Sequence, residues 1–271
     1  MLHHLKPLVE QFPFAANAYR QLRDAWATQQ LRPAQTPHGF VFMGDPSMLD
    51  GRFEPDETRL VIDHLEQFEV FVDIGAHWGF FSCLTGSRGK KTVSFEPSPK
   101  NLSLLCANLQ ANGLDKSEIF PLGLSNEAAI LTLYGAHTGA SLLRGWAGAS
   151  SQITNTIAVN TLDQVLGHRF EGQRLFFKMD IEGAEHIALA GATATLKRDP
   201  RPIWMVEICL TEHQPDGGVN PHYREVFERF WANGYTAYTV DREAREVTAA
   251  DVDRWVSQKR RDFGNHNFCF K

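Results

Sequence analysis

Short, nearly continuous apolar runs alternate with helical segments between residues 70 and 240, and this alternation restricts the fold more than any other feature. The first run, Val70–Ile74, ends at a glycine, as a strand buried on both faces of a parallel sheet does. Further strands are predicted at 92–95, 118–120, 175–179, 203–208 and 235–240, with helices at 80–87, 101–112, 184–198 and 221–232. The succession predicts an α/β domain with a mostly parallel, Rossmann-like sheet and helices on both faces.

Additional short strands are predicted outside this alternation, at 40–43, 130–134, 156–159 and 268–270. The strand at 130–134 should pair with the one at 156–159, since a Gly/Ser/Ala-rich loop connects them. We expect the strand at 268–270 to close one edge of the sheet.

The first 65 residues are predicted to form an extension before the first core strand. Residues 1–35 have apolar spacing typical of one or two helices, and a further helix is predicted over 54–65. The apolar content of the segment is too high for a disordered arm. We therefore expect residues 1–65 to pack over the ligand side or form an oligomer interface, and residues 66–271 to form the main domain.

Composition narrows the possible partners and the compartment. The net charge is −5 and the sequence pI is about 6.1, which argues against a nucleic-acid partner. The four cysteines form no CxxC pair, and three of them lie in apolar stretches, as free thiols do. With no signal-peptide pattern and no apolar run of membrane-spanning length, the sequence predicts a cytoplasmic protein.

A glycine turn follows the first core strand. Asp73-Ile74-Gly75-Ala76-His77-Trp78-Gly79 leads from this strand into a helix, at the strand end where α/β sheets bind ligands. Glycine lets the backbone approach a ligand closely. The motif is not GxGxxG, and Asp73 would repel a pyrophosphate, so the turn suits a ligand with an ammonium group.

A second acidic residue ends the next strand. Glu96 follows Asp73 by 23 residues, a position from which a carboxylate can accept hydrogen bonds from ribose hydroxyls. Each feature alone fits an ordinary tight turn or a strand-end carboxylate. Together in one βαβ unit they predict a nucleoside-containing cofactor.

A dense acidic block follows a later buried strand. Asp180, Glu182 and Glu185 follow residues 175–179 within a few positions, which packing does not require. We interpret Glu185 as a helix-start charge and place Asp180 in the ligand crevice. Repulsion among close carboxylates should raise the pKa of at least one of them.

These motifs resemble those of the FkbM-type methyltransferases. The similar stretches are Phe71–Ala76, Phe95–Pro99 with Asn101 and Asn108, Lys178–Glu185 and Val206–Ile208, and the resemblance covers roughly residues 37–240 in order. It implies a class I methyltransferase fold, S-adenosylmethionine as cofactor, and usually O-methylation of a sugar, a glycan or a natural product.

The resemblance also implies roles for individual residues. Asp73, Gly75, Ala76, His77 and Gly79 would surround the methionine part, and Glu96 would hold the ribose. Leu124 and Ser125 would flank the adenine. His77 and Trp78 depart from the family pattern, which commonly has Asn and a small or varied residue there, so this loop is bulkier than usual.

Transfer to a hydroxyl also requires a base. Asp180, Glu182 and His213 are the predicted catalytic residues, and Glu207 is a further candidate at the end of the adjacent strand. We expect Asp180 to face the ammonium group of the cofactor and Glu182 to face the acceptor. Together with Glu207, Glu212 and His213 they could bind a hard cation, but their spacing is not diagnostic and we predict no metal.

Three alternatives remain open at this level. One is an NAD(P)-dependent oxidoreductase on a similar fold, which the missing GxGxxG disfavours. Another is a methyltransferase-fold binding protein without activity, which should have a damaged cofactor motif. The third is N-methylation of protein or RNA, although the chain lacks the Asn/Asp-Pro-Pro-aromatic tetrapeptide.

Overall fold

The structure is a computed structural model that describes residues 31–135 and 139–271. The helices predicted before residue 31 lie outside these described residues. Residues 34 and 35 were also predicted to be helical, but they form a short strand that pairs with residues 41 and 42.

The main sheet has eight strands, which lie side by side in the order β12 (Glu246–Val247), β11 (Ala237–Thr239), β13 (Asn267–Phe270), β10 (Ile203–Glu207), β9 (Leu175–Met179), β3 (Val70–Ile74), β4 (Lys91–Phe95) and β5 (Glu118–Phe120). Strands β5, β4, β3, β9 and β10 are parallel, whereas β13 runs antiparallel between β10 and β11. Chain order reverses between β3 and β9, and the crevice at such a reversal is where open α/β sheets bind ligands. The predicted mostly parallel α/β sheet is confirmed.

The strands in chain order are β1 Ala34–Gln35, β2 Val41–Phe42, β3 Val70–Ile74, β4 Lys91–Phe95, β5 Glu118–Phe120, β6 Gly123–Leu124, β7 Ala129–Tyr134, β8 Thr154–Asn160, β9 Leu175–Met179, β10 Ile203–Glu207, β11 Ala237–Thr239, β12 Glu246–Val247 and β13 Asn267–Phe270. The α-helices of the described residues are α1 Pro46–Leu49, α2 Pro55–Asp63, α3 Phe80–Gly86, α4 Pro99–Ala111, α5 Leu162–Leu166, α6 Glu185–Ala190, α7 Tyr223–Ala232 and α8 Ala249–Gln258.

Helices cover both faces of the sheet because successive strand residues point to opposite sides. Val70, Val72 and Ile74 belong to a core that includes α5, α6, α7 and α8. Phe71 belongs to a second core, on the other face, with α2, α3 and α4. Each face therefore contributes its own apolar layer.

The predicted strand pair over 130–134 and 156–159 forms a separate small sheet in the order β6-β8-β7. Leu133, Ile157 and Val159 form its own small core. This sheet positions Leu124 and the loop after β7 beside the main sheet.

Two further predictions about secondary structure were wrong. The helix predicted over 184–198 is interrupted: α6 ends at Ala190, and only Thr195–Lys197 resumes as a 3-10 turn. The helix ends before Gly191, where a Cβ would lie 2.2 Å from the carbonyl oxygen of Ser125, so only glycine fits against this backbone. Strand β13 lies inside the sheet and not at its edge, which β12 forms.

The described part of the N-terminal extension packs against the sheet. Phe40, Phe42 and Val61 share a core with Phe71 and Phe176. The expectation that this segment is not a free arm is confirmed for residues 31–65. Across the described residues, no helix combines the length and the apolar character needed to cross a bilayer.

Candidate active site

A cavity of about 310 Å³ opens at the carboxyl ends of β3, β4 and β9, at the lower end of the roughly 300–1,000 Å³ typical of small-molecule pockets. Its walls come from these strand ends, from the extension and from the small sheet. Eight residues predicted from the sequence line it: Asp73, Gly75, Ala76, His77, Glu96, Leu124, Asp180 and Glu182.

The backbone turn at Gly75 joins the three strand ends. Gly75 has φ +81°, and a Cβ there would lie 1.8 Å from the carbonyl oxygen of Asp180. The amides of Gly75 and Ala76 both donate to the carbonyl oxygen of Phe95 at 3.0 Å. The amide of Asp180 donates to the carbonyl oxygen of Ile74 at 3.0 Å, which holds the Asp180 backbone against the turn. The turn therefore has room only for glycine at position 75.

Asp73 is buried beneath this turn. Its Oδ2 accepts a hydrogen bond of 2.6 Å from the Ser82 hydroxyl, which lies 2.8 Å from the Ser94 hydroxyl. Burial raises the pKa of Asp73, although the nearby Lys178 ammonium opposes the shift.

The Glu96 carboxylate accepts hydrogen bonds from three donors. Its Oε2 accepts from the amide of His77 at 2.9 Å, and its Oε1 accepts from the amide of Ser98 at 2.8 Å and from Asn101 Nδ2 at 3.3 Å. Burial raises the pKa of Glu96 to about 7. Carboxylate oxygens have about four acceptor sites in total, so Glu96 retains capacity for a ligand hydroxyl.

A buried lysine lies on the opposite side of β3. Lys178 Nζ is 3.0 Å from Asp180 Oδ2 and 3.7 Å from Glu54 Oε2, and it lies 4.9 Å from the centre of the Phe81 ring. Burial opposes its charge, but the carboxylates of Asp180, Glu54 and Asp73 raise the pKa of Lys178 above its usual range. The three carboxylates therefore favour the charged form of Lys178 in this wall.

Asp180 and Glu207 form a hydrogen-bonded carboxyl pair. Burial favours the neutral form of Asp180, but the Lys178 ammonium and the hydrogen bonds from Glu207 and Lys178 together lower the pKa of Asp180. Burial and the Asp180 charge raise the pKa of Glu207 well above its usual range. The Asp180 charge therefore favours the protonated form of Glu207, which can donate a hydrogen bond to the Asp180 carboxylate.

Glu182 is held by the loop that follows β7. Trp146 Nε1 donates to Glu182 Oε2 at 2.6 Å, and the Ser141 hydroxyl donates to the Glu182 carbonyl at 2.6 Å. The Trp146 ring packs on Gly183, where a Cβ would lie 2.5 Å from it. Burial, assisted by the Asp180 charge, raises the pKa of Glu182 to about 8.

Glu185 stabilises the turn that presents Glu182. It is buried, and its Oε1 accepts from the amides of Gly183 and Ile181 at 3.1 and 3.3 Å. Burial raises the pKa of Glu185 to about 7. The predicted upward shift within the acidic block is confirmed for Glu182 and Glu185, but burial contributes more to it than repulsion does.

Three predicted residues do not line the cavity. Gly79 begins α3 at φ +84°, and a Cβ there would meet the Leu105 side chain. Ser125 is buried, with its hydroxyl 3.2 Å from Asn126 Oδ1. His213 is exposed, and its ring centre lies 5.9 Å from that of Trp146.

The predicted absence of a metal stays a prediction. Within residues 31–135 and 139–271, no cluster of three or more His, Cys, Asp or Glu side chains has a metal-binding arrangement. Glu212 is paired with Arg261 through both of its oxygens, at 2.7 and 3.1 Å. Glu212 is therefore already engaged in an ion pair and does not join the other residues that the sequence analysis considered as ligands of a hard cation.

Four wall or loop residues were not assigned a site role from the sequence. Lys178 and Asn101 lay within the motifs that carry the resemblance, so their presence was visible but their contacts were not. Glu54 read as the first residue of a helix, and Trp146 lay in a loop without periodicity. No local pattern distinguishes either from ordinary surface positions.

The cavity fits S-adenosylmethionine. Asn101 Oδ1 is buried with no donor among the described residues, and it lies beside Glu96, where ribose hydroxyls could donate. The turn at Gly75 lines the cavity at the carboxyl end of β3, where the methionine part would lie. The apolar side chains of Leu124, Leu133 and Ile157 provide a surface for a flat base.

Comparisons with solved structures return matches at low sequence identity and with low TM-scores. A precorrin-6y C5,15-methyltransferase from Geobacter metallireducens is 12% identical with a TM-score of 0.43, and the alignment covers 75% of this chain and 84% of that one. An O-methyltransferase from Bacillus cereus, in complex with SAH, is 15% identical with a TM-score of 0.43 and 80% coverage of both chains. No curated protein matches significantly.

A family model for the methyltransferase FkbM domain matches residues 73–237, more than half of the chain. The match confirms the resemblance seen in the motifs and with it the Rossmann-like class I methyltransferase fold and S-adenosylmethionine as cofactor. It excludes the oxidoreductase alternative. The chain belongs to the FkbM methyltransferase family.

Proposed function

We propose that this methyltransferase methylates a hydroxyl oxygen of a sugar, a glycan or a natural product. The observation that carries the proposal is the group of carboxyl side chains at the ends of β9 and β10 beside the cavity. Glu182 has its pKa raised to about 8, and bases are most effective when their pKa lies near the working pH. A hydroxyl acceptor requires such a base because it must lose its proton during transfer.

In this mechanism the chain positions groups and moves one proton. The bound cofactor supplies the activated methyl group. Glu96 and Asn101 would hold its ribose, the turn at Gly75 would follow its methionine part, and Leu124 would contact its adenine. Glu182 would face the acceptor hydroxyl, place it in line and accept its proton. Asp180 would lie beside it on the cofactor side, and His213 is the reserve candidate.

The acceptor class can be tested directly with labelled cofactor. Purified protein is incubated with methyl-labelled S-adenosylmethionine and separate panels of sugars, glycans, natural-product alcohols, proteins and RNA. Label on a hydroxyl of the first three panels, located by mass spectrometry, supports the proposal. Label confined to protein or RNA nitrogen contradicts it.

Glu182→Gln should slow methyl transfer to the best acceptor by about 10²-fold or more, because it removes the base while keeping the side-chain shape. Calorimetry with S-adenosylhomocysteine should show nearly unchanged affinity. Glu171→Gln, which alters an exposed carboxylate outside the cavity lining, is the control. A wild-type rate for Glu182→Gln would exclude Glu182 as the base.

Glu96→Ala should weaken S-adenosylhomocysteine binding by about 1–3 kcal/mol through loss of charge-assisted hydrogen bonds. Isothermal calorimetry measures this change. Glu118→Ala is a matched control, because Glu118 lies on the adjacent strand and pairs with Arg169 outside the cavity lining. Equal affinities of wild type and Glu96→Ala would remove the ribose role from Glu96.

Domain organisation and compartment complete the proposal. We assign residues 1–65 to an extension and 66–271 to the methyltransferase domain, with the shared core of residues 31–65 as support for close association. A homo-oligomer that uses the extension is compatible with this assignment. The free thiols, with Cys83, Cys209 and Cys269 buried, support a reducing cytoplasmic setting.

A further inference from the structure

Glu54 lies in the N-terminal extension, outside the range that the family model matches, yet it lines the cofactor cavity. It directly precedes Pro55 at the start of α2. Its backbone has φ 39° and ψ 63°, a left-handed conformation that non-glycine residues adopt rarely. Strained conformations of this kind are concentrated at ligand-binding sites.

The end of the Glu54 side chain is buried without a hydrogen-bond donor. The whole side chain keeps 28% of its surface exposed, but Oε2 itself is buried. No N–H or O–H of the described residues donates to this oxygen, and Lys178 Nζ is 3.7 Å away. A buried acceptor in this position requires a partner from elsewhere.

The charge around Glu54 is unbalanced. Glu54, Asp73 and Asp180 surround one ammonium group, that of Lys178, which is closer to Asp180. Oδ2 of Asp73 already accepts from Ser82. Oδ2 of Asp180, the residue expected to face the ammonium group, already accepts from Lys178. A second cation in this corner would offset the excess negative charge.

We propose that Glu54 is a cofactor-binding residue whose carboxylate accepts a hydrogen bond from the α-ammonium group of the methionine part. The extension thereby supplies a contact that the sheet motifs lack. The inference rests on the cofactor and not on the identity of the methyl acceptor.

This contact links cofactor binding to proton release. Burial raises the pKa of Glu54 to about 7; the Lys178 ammonium opposes the shift, and the charges of Asp180, Glu57 and Asp73 add to it. Part of the free protein therefore carries a proton on Glu54 near pH 7. A bound ammonium group favours the ionised carboxylate, so binding should expel this proton.

The test compares two ligands and three proteins by calorimetry. S-Adenosylhomocysteine has the ammonium group, whereas 5′-methylthioadenosine has the same nucleoside and sulfur but no amino-acid part. Glu54→Gln should weaken the first by about tenfold to 100-fold, the range of a charge-assisted hydrogen bond. It should leave 5′-methylthioadenosine within about twofold, which also shows that the variant is folded. Asp56→Asn, an acid of the same turn that pairs with Arg59 and lies outside the cavity lining, should change neither.

Proton release provides a second readout. Titrations of wild type with S-adenosylhomocysteine at pH 7, in buffers of different ionisation enthalpy, should show protons released, and Glu54→Gln should release fewer. Unchanged affinity of Glu54→Gln for S-adenosylhomocysteine, or equal weakening of both ligands, would overturn the inference alone. Failure of the wild type to bind S-adenosylhomocysteine would overturn the cofactor assignment as well.

Discussion

Gly75→Ala should cost about 2–5 kcal/mol of unfolding free energy and abolish measurable binding of S-adenosylhomocysteine. Alanine in a left-handed conformation costs about 1–2 kcal/mol. Overpacking costs about 1–3 kcal/mol more, since the new Cβ would lie 1.8 Å from the Asp180 carbonyl oxygen. Relief of this contact must separate β3 from the chain after β9, which widens the crevice where the methionine part would bind.

Gly89→Ala separates the cost of the left-handed backbone conformation from the cost of the steric overlap. Gly89 has φ +78°, close to that of Gly75, but nothing lies within 4 Å of the position of its Cβ. Urea denaturation should therefore show only the conformational cost of about 1–2 kcal/mol for this variant, and calorimetry should show normal cofactor binding. Equal destabilisation by the two substitutions would contradict the close backbone approach at Gly75.

Lys178→Met should destabilise the protein by about 3–5 kcal/mol at pH 8, because it removes one partner from a buried ion pair and leaves the other charged. Asp180 loses an ammonium group at 3.0 Å and Glu54 loses one at 3.7 Å. Lys100→Met, at an exposed position of α4, is the control and should have little effect.

The loss of unfolding free energy caused by Lys178→Met should be smaller at pH 5.5 than at pH 8. Without Lys178, burial raises the pKa of Asp180 and Glu54 in the folded protein above their unfolded values. Carboxyl groups with such raised pKa values favour the folded state at low pH, and this contribution disappears as the pH rises through the folded pKa. Urea denaturation at both pH values, expressed as the difference from wild type, measures the effect. A pH-independent difference would show that the lysine contributes by packing alone.

Local sequence signals predicted most of the fold because they reflect burial directly. The run Val70–Ile74 and the following glycine turn predicted β3 to the residue, since a strand buried on both faces has no alternative pattern. Gly75, Asp73 and Glu96 were found for the same reason: each lies at or directly after the end of a recognisable strand.

The remaining features depend on contacts between distant residues. The helix expected over 184–198 ends before Gly191, where the Ser125 backbone leaves room only for glycine, and the apolar pattern that continues past that point does not show this contact. Strand β13 reads as an edge strand in sequence because nothing local shows that it pairs with both β10 and β11. Glu54 and Trp146 acquire their places from the fold, so their sequence neighbours do not reveal them.

The position of the cavity within the sheet has a consequence for local unfolding. All of the residues that line it lie between 48 and 184, and in the described part of the chain none comes from β11, β12 or β13. A ligand opposes only those openings that destroy its site. Cofactor should therefore suppress opening of β3, β4 and β9 strongly, while fraying of the β11–β12 end continues at nearly its ligand-free frequency.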